Sequence, residues 1–156
     1  MSIATTLAQY LVDHNVAYDL VQHPHTETAS GSAAASGVPA NRVVKAVVLK
    51  GDDGFMIALV PASDHIRFDE LRNVLGKDVD LANEEQVETL FLDCEPGSVP
   101  ALGAAYGLNV VMDDSLTEPP EVYFESGDHA NLVHISGETF RELMMGARHG
   151  RFAGRD

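Results

Sequence analysis

Cysteine is almost missing: Cys94 stands alone in 156 residues, so no disulfide can form within the chain. A reducing, cytoplasmic setting is the natural expectation. Tryptophan is absent and aromatic residues make up only 6%, so the core must rest on Val, Leu, Ile and Ala. Positive charge is scarce too. Ten Lys and Arg face 24 Asp and Glu, for a formal charge of -14. That balance argues against a protein that holds DNA or an anionic membrane by bulk charge. No apolar run approaches the roughly 20 residues of a membrane-spanning helix. The start, Met1 to Thr6, has no basic segment leading into an apolar one, so no signal peptide is expected.

What is present fits one domain, since domains typically run to about 100–150 residues. A hydrophobic share of 45% supports a real core. Ser2 is placed to cap a first helix, with Ile3, Leu7, Tyr10, Leu11 and His14 on one face. Tyr18 to Gln22 alternates like a strand. Thr28 to Ser36 reads as a short helix closed by Gly37. Val43 to Lys50 and Phe55 to Val60 flank the turn Gly51-Asp52-Asp53-Gly54, the strongest hairpin signal in the chain. Helices follow from Phe68 to Leu75, stopped by Gly76, and from Glu84 to Leu90, capped by Asn83. Cys94 to Gly103 is a loop by composition, Asn109 to Met112 a strand, and Asp113 to Pro120 a polar connection. Glu121–Glu125 and Leu132–Ile135 form a second hairpin, and a last helix starts near Gly137. Residues 1–145 thus form one α/β domain with a mixed, curved sheet flanked by helices. Residues 146–156 read as a flexible basic tail.

Several residues could carry chemistry. Lys45 interrupts the apolar run Val43-Val44-Lys45-Ala46-Val47-Val48-Leu49. A buried ammonium costs several kcal/mol unless it is paired or shifts its pKa. It either aims into a pocket to hold a carboxylate, phosphate or carbonyl oxygen, or pairs with one of the many acids. On physics alone the second reading comes first. In Gly97-Ser98-Val99-Pro100-Ala101-Leu102-Gly103, two glycines permit close backbone approach, and free N–H groups could cradle an oxyanion. Loops of this composition are also often just loops. His23, His25, His65, His129 and His134 lack zinc-site spacing, which leaves a metal site as the weaker reading. His129, beside Asp128, sits at a hairpin tip, as ordinary turn chemistry or as a polar group at a pocket mouth. Cys94 lies between Asp93 and Glu95, which would raise its pKa, so it is read as structural. Ser98 lacks a nucleophile-elbow context, which disfavours a serine hydrolase.

Taken together, three segments resemble the YbaK/EbsC family of aminoacyl-tRNA editing domains, related to the insertion domain of prolyl-tRNA synthetase. Arg42 to Lys50 is similar to that family's lysine strand, Phe55 to Ala62 to its hairpin partner, and Gly97 to Gly103 to its glycine loop. Val122 to His129, followed by Leu132 to Ser136, fits its last hairpin. The resemblance runs from about Ala17 to Leu143, and the order of the segments is more specific than any one of them.

The resemblance implies a partly barrel-like mixed sheet and an ester hydrolase that deacylates a mischarged tRNA in trans, without a cofactor. It implies that Lys45 engages the ester and that backbone groups of Gly97, Ser98 and Gly103 hold the carbonyl or its oxyanion. Ala46, Pro100 and His129 would complete the substrate site. The implied partners are the acceptor end of an aminoacyl-tRNA, with a synthetase or elongation factor delivering it. Arg148, Arg151 and Arg155 are candidates for phosphate contact. No side chain is an obvious general base, so a hydroxyl of the terminal ribose would assist. The chain departs from the family pattern twice. Ala101 stands where the loop often has proline, and Ala46 where some alanyl-specific relatives carry a polar residue. Two other readings remain: a non-catalytic binding module of the same fold, and a metal hydrolase built on His23, His25 and His129.

Overall fold

The computed structural model describes residues 3–155. In chain order the elements are α1 (Thr5–Asp13), β1 (Asp19–Gln22), α2 (Ala29–Ser36), β2 (Val43–Gly51), β3 (Gly54–Pro61), β4 (Asp64–Ile66), α3 (Phe68–Leu75), β5 (Val79–Leu81), α4 (Glu84–Leu90), β6 (Asn109–Asp113), β7 (Glu121–Glu125), β8 (Asn131–Ser136), α5 (Gly137–Leu143), β9 (Arg148–Gly150) and β10 (Ala153–Arg155). The strands β4, β5, β9 and β10 are absent from the sequence reading. Each is three residues long, too short to display an alternating pattern.

Local chemistry explains most boundaries. The Thr28 side chain accepts from the Gly31 amide at the start of α2, and Gly37 closes that helix at φ 70°. Asn83 and Gln86 form a reciprocal capping box on α4. The Ser136 side chain accepts from the Thr139 amide at the start of α5. Ser2, expected to cap α1, lies outside the described residues. There the Thr6 amide instead donates to Asp93 Oδ2 at 2.8 Å, a cap supplied from 87 residues away.

The main sheet runs β1-β8-β7-β2-β3-β6-β9, with β5 added to β2. The pairs β1·β8, β8·β7, β2·β3 and β2·β5 are antiparallel. The pairs β2·β7, β3·β6 and β6·β9 are parallel. The expected α/β fold with a mixed sheet is thus the fold observed. One face carries the larger core, where Val44, Ile57, Leu59 and Phe124 meet Leu7 and Leu11 of α1 and Phe140 of α5. On the other face Leu49, Ala58 and Val60 pack with Leu71 and Leu75 of α3. Beside them, Ala33 of α2 packs on Val43 and Leu132.

One strand is incompletely partnered. β2 pairs with β3 from Val44 to Gly51. On its other side it meets β7 only at Val43 and Val44, and β5 only from Leu49 to Gly51. Among the described residues, no strand pairs with residues 45–48 on that side. In an antiparallel pair, successive residues send their backbone groups to opposite sides. The Ala62 amide donates to Val43 O on the β3 side, and the Ala82 amide to Val48 O on the other. Ala46, in step with Val48, turns its N–H and C=O into the gap.

The expected flexible tail is corrected by the structure. Between Gly146 and Arg155 the chain is folded against its neighbours: β9 pairs with β6, and β10 pairs with β4. Phe152 is only 1% exposed and joins the α3-side core. Asp113 anchors the segment. Its Oδ1 accepts from the Phe152 and Ala153 amides at 2.8 and 2.9 Å, and its Oδ2 from the Ser115 amide and hydroxyl. Gly and Arg dominate this stretch, and one buried aromatic with a distant carboxylate outweighs that composition.

Phe152→Ala is expected to cost about 3–5 kcal/mol in urea unfolding, as for other fully buried aromatics; a loss under about 1 kcal/mol would mean the segment is not packed. Burial alone would push the Asp113 carboxyl up, but its Ser115, Phe152 and Ala153 bonds outweigh this and hold it below its ordinary value. A folded pKa below the unfolded one stabilises above the unfolded value and is lost as pH falls through the folded one. The stability gap between wild type and Asp113→Asn should therefore be full at neutral pH and shrink below about pH 4. A gap independent of pH would contradict this role.

Candidate active site

The gap along β2 opens into a cavity of about 550 Å³. Its walls are residues 44–48 of β2, the start of α2, α4, and the loop at Glu95, Pro96, Gly97 and Val99. Glu125, at the end of β7, closes one side.

Lys45 is half-buried on this wall. Its Nζ donates to the Asp64 carbonyl at 2.5 Å, and it pairs with no carboxylate among the described residues. A backbone carbonyl leaves the positive charge unneutralised. Ala46 and Gly97 line the same cavity. The structure thus brings together Lys45, Ala46 and Gly97 of the expected site residues.

The other four do not line it. Ser98 is fully buried behind the loop. Its Oγ donates to Glu125 Oε2 at 3.2 Å and accepts from the Gly127 and His129 amides at 3.1 and 3.3 Å. Its own amide is committed to Glu95 O. The Gly103 amide is committed to Ala101 O. Gly103 is glycine for packing: a Cβ there would come within 2.8 Å of Val110 and 3.1 Å of Ile57. Pro100 is buried beside them. The expected oxyanion donors Ser98 and Gly103 are therefore already used, which leaves Gly97, held at φ 85°, at the cavity.

His129 supports that glycine from behind. It sits at φ 59°, is 2% exposed, and lies 3.4 Å from where a Gly97 Cβ would be. Its Nε2 is bonded to Pro96 O, a pure acceptor, so that nitrogen carries the proton and Nδ1 is left without a partner. His23 is committed in the same way through Nδ1 to Pro24 O. His25 meets the His129 ring edge-on at 5.3 Å and approaches Glu27. Among the described residues, no group of three or more His, Cys, Asp or Glu is placed to hold a metal. Cys94 borders the cavity, but burial, together with Asp93, pushes its thiol up to about 12, against the opposing pull of Tyr106. It stays protonated and is no nucleophile at neutral pH. Arg148, an expected phosphate contact, lies on β9, three strands removed from β2, and donates to Leu75 O of α3.

Glu125 is the residue that sequence reasoning missed. It is 4% exposed, and Oε1 accepts from Ser32 Oγ at 2.7 Å while Oε2 accepts from Ser98. Burial raises its carboxyl above the ordinary value, opposed by Ser32, His129, Ser98 and His23. An acid ending a strand beside a turn carries no signal of burial. Its partners lie 93 and 27 residues away.

Comparison with known proteins bears on what such a cavity is for. Residues 23–143 match the aminoacyl-tRNA editing domain family. A proline–tRNA ligase of Thermosipho africanus is 35% identical over 68 residues, 43% of this chain and 12% of the ligase. One of Bacillus cytotoxicus is 29% identical over 101 residues, 64% of this chain and 18% of the ligase. The chain thus spans less than a fifth of the length of either ligase. The crystal structure of a hypothetical protein has a TM-score of 0.83 at 21% identity, covering 96% of this chain and 99% of that one. A candidate trans-editing enzyme for prolyl-tRNA synthetase has a TM-score of 0.80 at 25% identity, covering 97% and 96%. The fold is shared over nearly the whole chain, and the family match includes β2, the Gly97 loop and the β7–β8 hairpin. The chain belongs to the aminoacyl-tRNA editing domain family.

Proposed function

We propose that this protein is a trans-acting aminoacyl-tRNA deacylase that hydrolyses the ester of a mischarged tRNA at the β2 cavity. The observation that carries the reading is Lys45: a lysine without a carboxylate partner among the described residues, on the wall of a cavity that Gly97 also lines, in a chain of the editing family. The ligase relatives and the trans-editing neighbour favour a tRNA specific for proline as the carrier.

In this mechanism the acceptor end enters the cavity with its ester carbonyl near Lys45. The Lys45 ammonium and the Gly97 amide draw charge onto the carbonyl oxygen as water adds to the carbonyl carbon. The bond from that carbon to the ribose oxygen then breaks, and the ribose oxygen takes a proton. Among the described residues no histidine lines the cavity. Cys94 is a neutral thiol, and the Glu125 carboxylate, held by Ser32 and Ser98, is assigned to binding rather than to base chemistry. A neighbouring ribose hydroxyl is the proposed proton relay: it accepts the proton that the attacking water loses and passes its own to the departing ribose oxygen, which makes orientation the protein's main contribution. Ser98 and His129 act on Gly97 indirectly, by fixing the loop against the β7–β8 hairpin.

The net charge of -14 gives little intrinsic affinity for phosphate. Delivery by a synthetase or elongation factor is therefore part of the proposal. The neutral Cys94 thiol and the absence of a histidine from the described cavity lining favour a second reading, a binding module of the same fold for an aminoacyl ligand.

A panel of correctly and incorrectly charged tRNAs tests the reading. Hydrolysis of at least one mischarged member is expected, and Lys45→Ala should lower kcat/KM about 100-fold or more, the scale of losing one oxyanion donor. Circular dichroism of the variant should match wild type. A wild-type protein inactive on the whole panel, or a fully active Lys45→Ala, would overturn the enzyme reading.

A further inference from the structure

Val44 of β2 pairs with Phe124 of β7, and the pairing stops there. Strands side by side lie about 4.8 Å apart. The next residues along the two strands are Lys45 and Glu125, and the alternation that puts Val44 and Phe124 in one core puts both of them on the opposite face. They stand where the two strands part, and both line the cavity. Yet they do not form an ion pair. Lys45 is held by the Asp64 carbonyl, and Glu125 by the hydroxyls of Ser32 and Ser98. An opposite pair of charges, each fixed by separate bonds, faces one chamber without neutralising itself.

A carboxylate has about four acceptor sites, and the two serines use two. The rest of the wall adds negative charge. Glu27, Glu84, Glu88 and Glu95 join Glu125 around the cavity, and among the described residues Lys45 is the one Lys or Arg that lines it. Such a chamber repels phosphate and attracts an ammonium. An α-amino group titrates near 8, so it is largely protonated at neutral pH, and a carboxylate beside it reinforces that state.

We infer that Glu125 holds the α-ammonium of the aminoacyl group, so that the cavity accepts α-amino acyl esters and discriminates against acyl esters without the amine. The inference rests on the deacylase reading and adds the part of the substrate that is recognised. An α-amino ester carries its carbonyl oxygen and its ammonium on adjacent carbons. Lys45 and Glu125 present the complementary charges on adjacent strands. Ser32 and Ser98 keep the carboxylate oriented.

The test is isothermal titration of the full chain with two stable amides, 3′-alanylamino-3′-deoxyadenosine and its propanoylamino counterpart, which lacks the amine. Wild type should bind the first at least about tenfold more tightly, the scale of one hydrogen bond to a charged group. Glu125→Gln should bind both alike, while Lys45→Ala should weaken both and retain the preference. Equal binding of the two amides by wild type would overturn the Glu125 assignment and leave the deacylase reading standing. So would a Glu125→Gln protein that keeps the preference. Failure of wild type to bind either amide would count against both. The wild-type comparison needs no variant to fold.

Discussion

The site depends on an interruption in β-pairing. β2 is fully partnered by β3 on one side, but on the other it meets β7 for two residues and β5 for three. Between them residues 45–48 face no strand. A sheet that paired there would leave no room for a ligand and would bury Lys45 without water. The gap puts Lys45 on the wall of an open cavity and turns the Ala46 backbone toward it. Full pairing with β3 and the packing of Val44 and Val48 in the core keep this wall rigid.

The second support is a buried polar hub. Ser98, Glu125 and Ser32 tie together the loop, the β7–β8 hairpin and α2 through side-chain bonds within the interior. Each hydroxyl is satisfied, which is the condition for a polar group to be tolerated there. The loop glycines divide the labour. Gly97 supplies a left-handed turn at the cavity, whereas Gly103 lets the chain pass close to β3 and β6. The loop is thus built from one functional end and one packing end.

Local signals were legible and distant ones were not. The β2–β3 hairpin, α3 with its Gly76 stop and the Asn83 cap each follow from chemistry within a few residues. Lys45 stood out because an ammonium in an apolar strand needs a reason. The cap of α1 by Asp93, the Ser98–Glu125 bond and the anchoring of Phe152 by Asp113 join residues far apart in the chain. No periodicity announces such contacts. The loop pattern Gly97–Gly103 pointed to the right segment but not to which amides were free, since that depends on bonds to Glu95 and Ala101. The family resemblance ordered the segments correctly, and the match over residues 23–143 supports it.

The central claim is that the opening beside Lys45 is where an aminoacyl ester sits. A crystal structure of the protein with a non-hydrolysable aminoacyl-adenosine amide tests it most directly. The account predicts the amide carbonyl within hydrogen-bonding reach of Lys45, with the aminoacyl group between β2, Gly97 and Glu125. Density for the compound elsewhere, with this cavity left to solvent, would contradict it.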